Sequence, residues 1–294
     1  MDLATPPALS KSEGLLQIET FGPETVLLGN DAIWRRHGAQ WDRIVNVQGT
    51  CGHVLAISST SVWCVANGPG SMMISRASFG GSLTPIETSH STQGGVSEGF
   101  ADDAWLGEND AFIVHVTASG ITEKIPVSSP INGLSRGPQA MWFGERDGSH
   151  YGFIDRENNV HEFAATQRLT SVRAGRDGAW LTQPFRDSWQ AVRHADVNGT
   201  EAIGSYVAGM RESLVAADGS LWAQSDDWPT LIHLTEAGRA TRYRFPCPGG
   251  PLNLLQAPSI GMWFLSADRH CSGIADETGI YVRELPLVRD TEYK

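Results

Sequence analysis

An apolar residue followed by Trp recurs seven times along this chain of 294 residues. The pairs are Ile33-Trp34, Val62-Trp63, Ala104-Trp105, Met141-Trp142, Ala179-Trp180, Leu221-Trp222 and Met262-Trp263. Successive Trp residues are 29, 42, 37, 38, 42 and 41 positions apart, and in several units a strand, a tight turn and a second strand follow the Trp. A period near forty residues, with four short strands in each unit, is typical of a β-propeller.

The unit between Asn132 and Phe163 shows the pattern most clearly. Its strands are NGLS, AMWFGE, HYGFID and VHEF, and its turns are Gly-Pro-Gln, RDGS and Arg-Glu-Asn-Asn. Short runs rich in aromatic and β-branched residues, separated by turn residues, indicate hairpins. We therefore predict an all-β, seven-bladed β-propeller with four-stranded antiparallel blades around a central channel. Residues 15–294 would form a single domain, preceded by a flexible segment at 1–14.

The repeats GPQAMWFGE, DGAWLTQ and DGSLWAQ, with YGFIDRENNVHEF, resemble those of the virginiamycin B lyase (streptogramin lyase) family. The resemblance covers about residues 15–286. It implies a seven-bladed propeller whose N-terminal strand completes the last blade, although 280–285 would also fill that place. It also implies an enzyme that opens cyclic depsipeptides by elimination and uses a divalent metal.

Composition narrows the range of partners. The net charge is −11, and the Arg residues are scattered, while Lys occurs only at positions 11, 124 and 294. Without a basic stripe we expect no nucleic-acid partner. No apolar run approaches twenty residues, so no membrane partner is expected either. The sequence is consistent with a monomer that binds a small-molecule substrate.

The N-terminus lacks the basic and apolar regions of a signal peptide, which predicts a cytoplasmic protein. The four cysteines contain no Cys-x-x-Cys pair, so a zinc knuckle is not expected. In the cytoplasm all four would be free thiols. They are Cys51, Cys64, Cys247 and Cys271.

Candidate site positions follow from propeller geometry. The innermost strand of a blade begins at the same face as its antiparallel second strand ends. Counted from each Trp, the first position lies about ten residues before it: Glu24, His53, Gly95, Asn132, Thr170, Glu212 and Asn253. The second lies about three residues after it: His37, Ala66, Glu108, Glu145, Gln183, Ser225 and Ser266.

These positions are rich in groups that transfer protons or hold ligands. We predict His53, Glu108 and Glu145 as catalytic residues, because an imidazole and carboxylates can act as general base and acid. The predicted substrate-binding residues are Glu24, His37, Asn132, Gln183, Glu212, Asn253, Trp189 and Trp228. The two Trp residues lie outside the repeat and would form an aromatic rim at this face. Solvated lining of the channel and loop packing are the alternatives.

The catalytic positions of the resembling family, in its last two blades, correspond to Glu212, Asn253 and Ser266 here. None of them retains the chemical group that the family uses. Three functions therefore stay open: an enzyme acting on a small or macrocyclic natural product by elimination or cyclisation, a non-catalytic ligand- or protein-binding propeller, and a metal-dependent lactone hydrolase. A divalent cation, Mg²⁺ or Ca²⁺, is the candidate cofactor, and no organic cofactor is expected.

Two further patterns are interpreted as structural. Gly133-Leu-Ser-Arg-Gly fits the Gly-x-Ser-x-Gly elbow of serine hydrolases, but that elbow needs a strand-to-helix turn, and here the motif lies between strands. His115 and His233 fall on third strands, away from the channel, where we expect them to pack.

Overall fold

The structure is a computed structural model. It describes residues 15–21, 24–29, 31–37, 40–47, 50–68, 71–89, 95–184, 189–210, 213–225, 230–244, 251–256, 262–266, 271–276 and 279–284. For some of these residues, including Glu24, His37 and Asn253, only the backbone is described. Residues 1–14, for which a flexible segment is predicted, lie outside the described residues.

The described chain forms seven four-stranded antiparallel sheets, one for each blade, with the strands of each sheet in sequence order. Blades 1 and 2 contain β1 (Leu15–Phe21), β2 (Glu24–Gly29), β3 (Ala32–His37), β4 (Gln40–Asn46), β5 (His53–Ile57), β6 (Ser61–Gly68), β7 (Ser71–Ser78) and β8 (Thr84–Ser89). Blades 3 and 4 contain β9 (Val96–Glu98), β10 (Asp103–Gly107), β11 (Phe112–Thr117), β12 (Gly120–Pro126), β13 (Ile131–Arg136), β14 (Met141–Glu145), β15 (His150–Ile154) and β16 (Val160–Ala164).

The remaining three blades follow the same plan. They contain β17 (Ser171–Ala174), β18 (Gly178–Pro184), β19 (Trp189–Asp196), β20 (Glu201–Ala208), β21 (Ser213–Val215), β22 (Leu221–Ser225), β23 (Thr230–Leu234), β24 (Ala240–Arg244), β25 (Pro251–Gln256), β26 (Met262–Ser266), β27 (Cys271–Asp276) and β28 (Gly279–Glu284). No helix among the described residues is long and apolar enough to cross a membrane.

The first strands of the blades form the inner ring. Each of them contacts the first strand of the next blade, from β1 through β5, β9, β13, β17 and β21 to β25, and β25 contacts β1 again. This arrangement is the predicted all-β propeller. Closure differs from the expectation drawn from the resemblance, because β1 pairs with β2 inside blade 1 and β28 pairs with β27 at the outer edge of blade 7.

The hydrophobic core lies between the blades. Trp63 of blade 2 packs with residues of blade 3, Trp105 with blade 4, Trp142 with blade 5, Trp180 with blade 6 and Trp222 with blade 7. All five indoles are buried, so each blade covers one apolar face of the next. The repeated Trp thus supplies the contact that joins successive blades.

Trp34 is the exception to the predicted register. The Trp residues of blades 2 to 7 lie on second strands, as predicted, but Trp34 lies on β3, the third strand of blade 1. Only 29 positions separate Trp34 from Trp63, because Trp34 lies on the third strand of its sheet and Trp63 on the second strand of the next.

Cys51 and Cys64 form a disulfide, which corrects the prediction that they are free thiols. The segment before β5 runs beside β6, and this pairing brings the two Cα atoms to 5.5 Å although 13 positions separate them in sequence. Disulfides persist mainly in oxidising compartments, so this pair weighs against the cytoplasmic location expected from the sequence. Cys247 and the side chain of Cys271 lie outside the description.

Candidate functional site

The strand ends that were predicted to share a face do so in six blades. Counted along the first and second strands, the terminal pairs are His53 with Val65, Val96 with Leu106, Ile131 with Glu145, Ser171 with Thr182, Ser213 with Ala223 and Pro251 with Ser266. Because the first strands of a propeller run in the same direction, these ends gather at one mouth of the channel.

Blade 1 departs from this geometry. Since β1 is its innermost strand, Glu24 begins the second strand and His37 ends the third. Glu24 pairs with Phe21, at the end of β1 rather than at its beginning. The backbone of both residues therefore lies at the end of the blade opposite to the predicted one. Assigning them to the ligand-binding mouth was wrong, because the Trp of blade 1 sits one strand later than in the other blades.

A cavity of about 260 Å³ opens at this mouth between blades 3, 4 and 5. Its wall combines apolar, hydroxyl, amide, carboxyl and guanidinium groups from Gly95, Val96, Asn132, Gly133, Leu134, Gly144, Glu145, Leu169, Thr170, Ser171, Val172 and Arg173. Two of the predicted site residues, Asn132 and Glu145, meet here. A concave site with a few polar groups among apolar ones is the usual form of a small-molecule pocket.

Local backbone structure shapes this cavity. A bulge between Ile131 and Gly133 leaves Asn132 out of the ladder, and its side chain is exposed. A Cβ atom on Gly133 would meet no heavy atom within 4 Å, so the absence of a side chain there leaves space. Gly95 has a φ of +76°, and a Cβ on it would come within 2.9 Å of the Gly133 Cα. Bulges of this kind re-aim side chains beside functional sites.

Glu145 is the most unusual residue of the wall. Its side chain is 0% exposed, and neither carboxylate oxygen has a hydrogen-bond partner among the described residues. His150 Nδ1 lies 3.2 Å from Oε2, with the imidazole 42% exposed. Burial raises the pKa of the Glu145 carboxyl, the charge of His150 lowers it, and the carboxylates of Glu162 and Asp147 raise it further; the net shift is upward. A buried acid with a raised pKa is suited to proton transfer.

The remaining predicted residues lie elsewhere around the mouth, outside the cavity wall that the described residues form. His53 begins β5 and is exposed, yet partial burial of its ring lowers its pKa. Glu108 follows β10 and is half-buried, and Trp189 begins β19 with 36% of its surface exposed. None of these three adjoins the cavity.

Gln183 is fully buried in blade 5, and its amide nitrogen lies 3.5 Å from Glu201 Oε2 and 3.4 Å from the Gln167 carbonyl oxygen. We assign it a packing position instead of a place in the open channel. Glu212 and Trp228 lie outside the described residues, and so do the side chains of Glu24, His37 and Asn253.

Sequence reasoning did not select Ser171, Arg173 or His150. Ser171 and Arg173 lie one and three residues after Thr170, the position predicted at the start of the first strand. Including the following residues of that strand, β17, would have selected both. His150 begins the third strand directly after the turn that follows Glu145, which places the two side chains on the same face of the sheet. The register of the second and third strands could therefore have predicted that His150 lies beside Glu145.

The two patterns interpreted as structural are packed in the fold. Ser135, at the centre of the Gly-x-Ser-x-Gly motif, accepts a hydrogen bond from the Ala174 amide at 2.9 Å and links blades 4 and 5. His115 stacks on Trp105 with ring centroids 4.5 Å apart, and His233 stacks on Trp222 at 4.3 Å.

The described part of the chain does not assemble a ligand set for a divalent cation. No group of three His, Cys, Asp or Glu side chains within it is arranged to hold a metal ion. His150 Nδ1 lies 3.2 Å from Glu145 Oε2, and a hard cation would require further oxygen ligands there.

Structural comparison places the chain among β-propellers. Virginiamycin B lyase from Staphylococcus aureus, in a catalytically inactive form with quinupristin, matches 88% of this chain and 94% of its own, with 17% identity and a TM-score of 0.64. A streptogramin B lyase structure matches 94% and 96%, with 15% identity and a TM-score of 0.60. Hsv2 from Kluyveromyces lactis matches 93% and 98%, with 12% identity and a TM-score of 0.61.

The TM-scores and the coverage of both chains establish a shared fold, and the resemblance noted in the repeats is confirmed at that level. No protein-family model matches the sequence, and comparison with curated proteins finds no match.

Proposed function

We propose that this propeller is an enzyme that acts on a small or macrocyclic natural product by elimination or cyclisation at the channel mouth. The observation that carries the proposal is Glu145, a fully buried carboxyl without a hydrogen-bond partner in the described structure, set in the wall of a mixed polar and apolar cavity. Burying such a group without partners costs stability, and such costs are concentrated at functional sites.

Elimination needs one base and one acid, and it needs no water. A base removes a proton from the carbon beside a carbonyl group, and the C–H electron pair forms a C=C bond. The adjacent C–O bond breaks, and its electron pair leaves with the oxygen, which Glu145 protonates. The Glu145 carboxyl is suited to the acid role because burial raises its pKa. His53 is a candidate base, since partial burial lowers its pKa and keeps the imidazole neutral at neutral pH.

The second candidate function is binding without catalysis. It is favoured by the three positions matching the lyase's catalytic residues, which hold Glu212, Asn253 and Ser266 here. Under the first function the ligand is a small molecule, under the second it is a small molecule or a protein, and under both the protein acts as a monomer. A divalent cation would have to be held by side chains beyond those that the structure describes.

Mass spectrometry distinguishes these functions. Purified protein is incubated with a panel of linear and cyclic esters and depsipeptides, including quinupristin. Elimination that opens a ring, or a cyclisation that isomerises the substrate, leaves the mass unchanged and alters the retention time. Elimination of a linear ester releases two products whose masses add up to that of the substrate, whereas hydrolysis adds the mass of one water. Binding without turnover supports the second candidate, and products that carry an added water contradict the first.

The decisive variant is Glu145→Gln, which keeps the shape of the side chain but cannot donate or accept the catalytic proton. We expect it to lower kcat by roughly 10²–10⁴-fold. Glu157→Gln is the matched control, because Glu157 lies in the exposed β15–β16 turn and should turn over substrate like the wild type. Wild-type turnover by Glu145→Gln would remove this carboxyl from the mechanism.

A further inference from the structure

The side chains around Glu145 fix the orientation of a second proton-transfer group. Asp147 Oδ1 accepts hydrogen bonds from the Ser149 amide at 2.8 Å and from the Ser149 hydroxyl at 2.7 Å. These two hydrogen bonds lower the pKa of Asp147, so its carboxylate is ionised at neutral pH and can only accept. The single hydroxyl proton of Ser149 is therefore directed to Asp147.

The next hydrogen bond in the chain then has only one possible direction. Ser149 Oγ lies 2.8 Å from His150 Nδ1. Because the hydroxyl proton is already donated to Asp147, Ser149 accepts and Nδ1 must donate. Neutral His150 is thus held with its proton on Nδ1 and the lone pair on Nε2.

We propose that His150 is the general base of this site, with Ser149 as the positioning residue: its hydroxyl oxygen accepts a hydrogen bond from Nδ1–H and so leaves the lone pair on Nε2, while Glu145 keeps the acid role. The imidazole is 42% exposed, so a ligand can reach it, while the side chain of Glu145 beside it is fully buried. An imidazole with an acceptor on Nδ1–H and a lone pair on Nε2 can accept a proton from a substrate.

His150 is better placed for this role than His53. Neither imidazole is among the described residues that line the cavity, but His150 Nδ1 lies 3.2 Å from the carboxyl of Glu145 in its wall, whereas His53 belongs to blade 2. The charged groups that act on Glu145 and His150 are the carboxylates of Asp147 and Glu162. The Glu162 carboxylate accepts hydrogen bonds from the amide and the hydroxyl of Ser128. The charge of His150 lowers the pKa of Glu145, and the carboxylates of Glu162 and Asp147 raise it.

This assignment deepens the proposed function and rests on it for the catalytic role, but the tautomer can be tested without a substrate. Nitrogen-15 NMR of the imidazole rings in the full-length protein distinguishes the Nδ1–H from the Nε2–H form. We expect Nδ1–H for His150. The internal reference is His161, whose Nε2 faces Asp155 at 3.2 Å and which should show Nε2–H in the same spectrum.

Asp147→Ala is the sharpest variant, because it frees the hydroxyl proton of Ser149 to point at Nδ1. We expect it to move His150 toward the Nε2–H form and to leave His161 unchanged. A wild-type spectrum with Nε2–H at His150, or no response to Asp147→Ala in a folded variant, would overturn the inference.

The catalytic role is tested separately with a panel compound that is turned over. His150→Gln should lower kcat by roughly 10²–10⁴-fold with little change in KM, while His53→Ala should have a smaller effect. The reverse order would assign the base to His53. An Nδ1–H tautomer without turnover of any compound would contradict the proposed function and leave the geometric assignment in place.

Discussion

At the scale of single residues, the structure separates two kinds of buried polar side chain. Gln183 and Glu145 occupy equivalent positions in neighbouring blades, three residues after a Trp. Gln183 has acceptors for its amide nitrogen within 3.5 Å although its Oε1 has no hydrogen-bond partner, whereas both oxygens of Glu145 lack partners among the described residues. Sequence alone identified both positions. It could not distinguish them, because the difference depends on side chains from other strands and from the neighbouring blade.

The burial of Glu145 predicts a pH-dependent cost. Its raised pKa means that the folded state favours the protonated form. The contribution of Glu145 to the free energy of unfolding is therefore greatest below the pKa of an unfolded Glu, near pH 4. It decreases as the pH rises through the raised pKa of the folded state. Glu145→Gln removes the ionisation, so we expect the variant to gain thermal stability over the wild type between pH 4 and pH 8. A gain of about 1 kcal/mol corresponds to roughly 2–4 °C in Tm.

Thermal melts across this pH range measure the effect. His150 must be kept in both proteins, because its charge opposes the shift. A Tm difference that does not change with pH would show that the carboxylate is solvated in the folded protein.

At the scale of strands and blades, contacts at the turns before the Trp residues add to the apolar core. Asp102, three residues before Trp105, accepts hydrogen bonds from Ser61 at 2.7 Å and from the Trp63 indole at 2.6 Å. Arg76 forms an ion pair with the same carboxylate. These three partners belong to blade 2 and Asp102 belongs to blade 3, so the carboxylate joins the two blades.

Asp102 also predicts how this junction responds to acid. Burial alone would raise its pKa, but hydrogen bonds from Arg76, Ser61 and Trp63 outweigh burial and lower it to about 2. A depressed pKa contributes stability above the unfolded value, near 4, and this contribution is lost as the pH falls toward 2. We expect Asp102→Ala to reduce the free energy of unfolding by roughly 1–3 kcal/mol at neutral pH, with a smaller difference at pH 3.

Urea unfolding at the two pH values tests this expectation. Asp177→Ala is the matched control, since Asp177 also lies three residues before a Trp but is exposed. We expect it to change stability by less than about 0.5 kcal/mol. Equal losses in the two variants would show that the turn, and not the junction between blades, is what Asp102 stabilises.

The repeat fixed the strand positions in most blades because each unit follows the same pattern of turns and apolar strands. It misplaced Trp34, and with it Glu24 and His37, because a local pattern does not determine which strand of the first unit is innermost. That choice depends on the contact between β1 and β25, which are more than two hundred residues apart. The short first interval of 29 residues between Trp34 and Trp63 indicates an irregular blade 1, but it does not show which strand is innermost.

At the scale of the whole molecule, the ring is closed by the contact between β1 and β25, both innermost strands. In this arrangement the outermost strand of every blade follows its third strand directly in sequence, and blade 7 ends with β28. The N-terminal strand therefore holds the first and last blades together from inside the channel. Its removal should affect the molecule differently from the removal of a strand at the rim.

We expect deletion of residues 1–21 to be more damaging than truncation after residue 278, which removes β28. Loss of β1 breaks the contacts with β25 and β5 and leaves the edge of β2 unpaired along the channel, while loss of β28 exposes only the outer edge of β27. Unpaired edges promote association between chains. Size-exclusion chromatography and thermal melting should show aggregation or a large loss of Tm for the first variant and a smaller loss for the second. If both truncations lower Tm equally, or if the loss of β28 is worse, the strand that closes the ring is not β1.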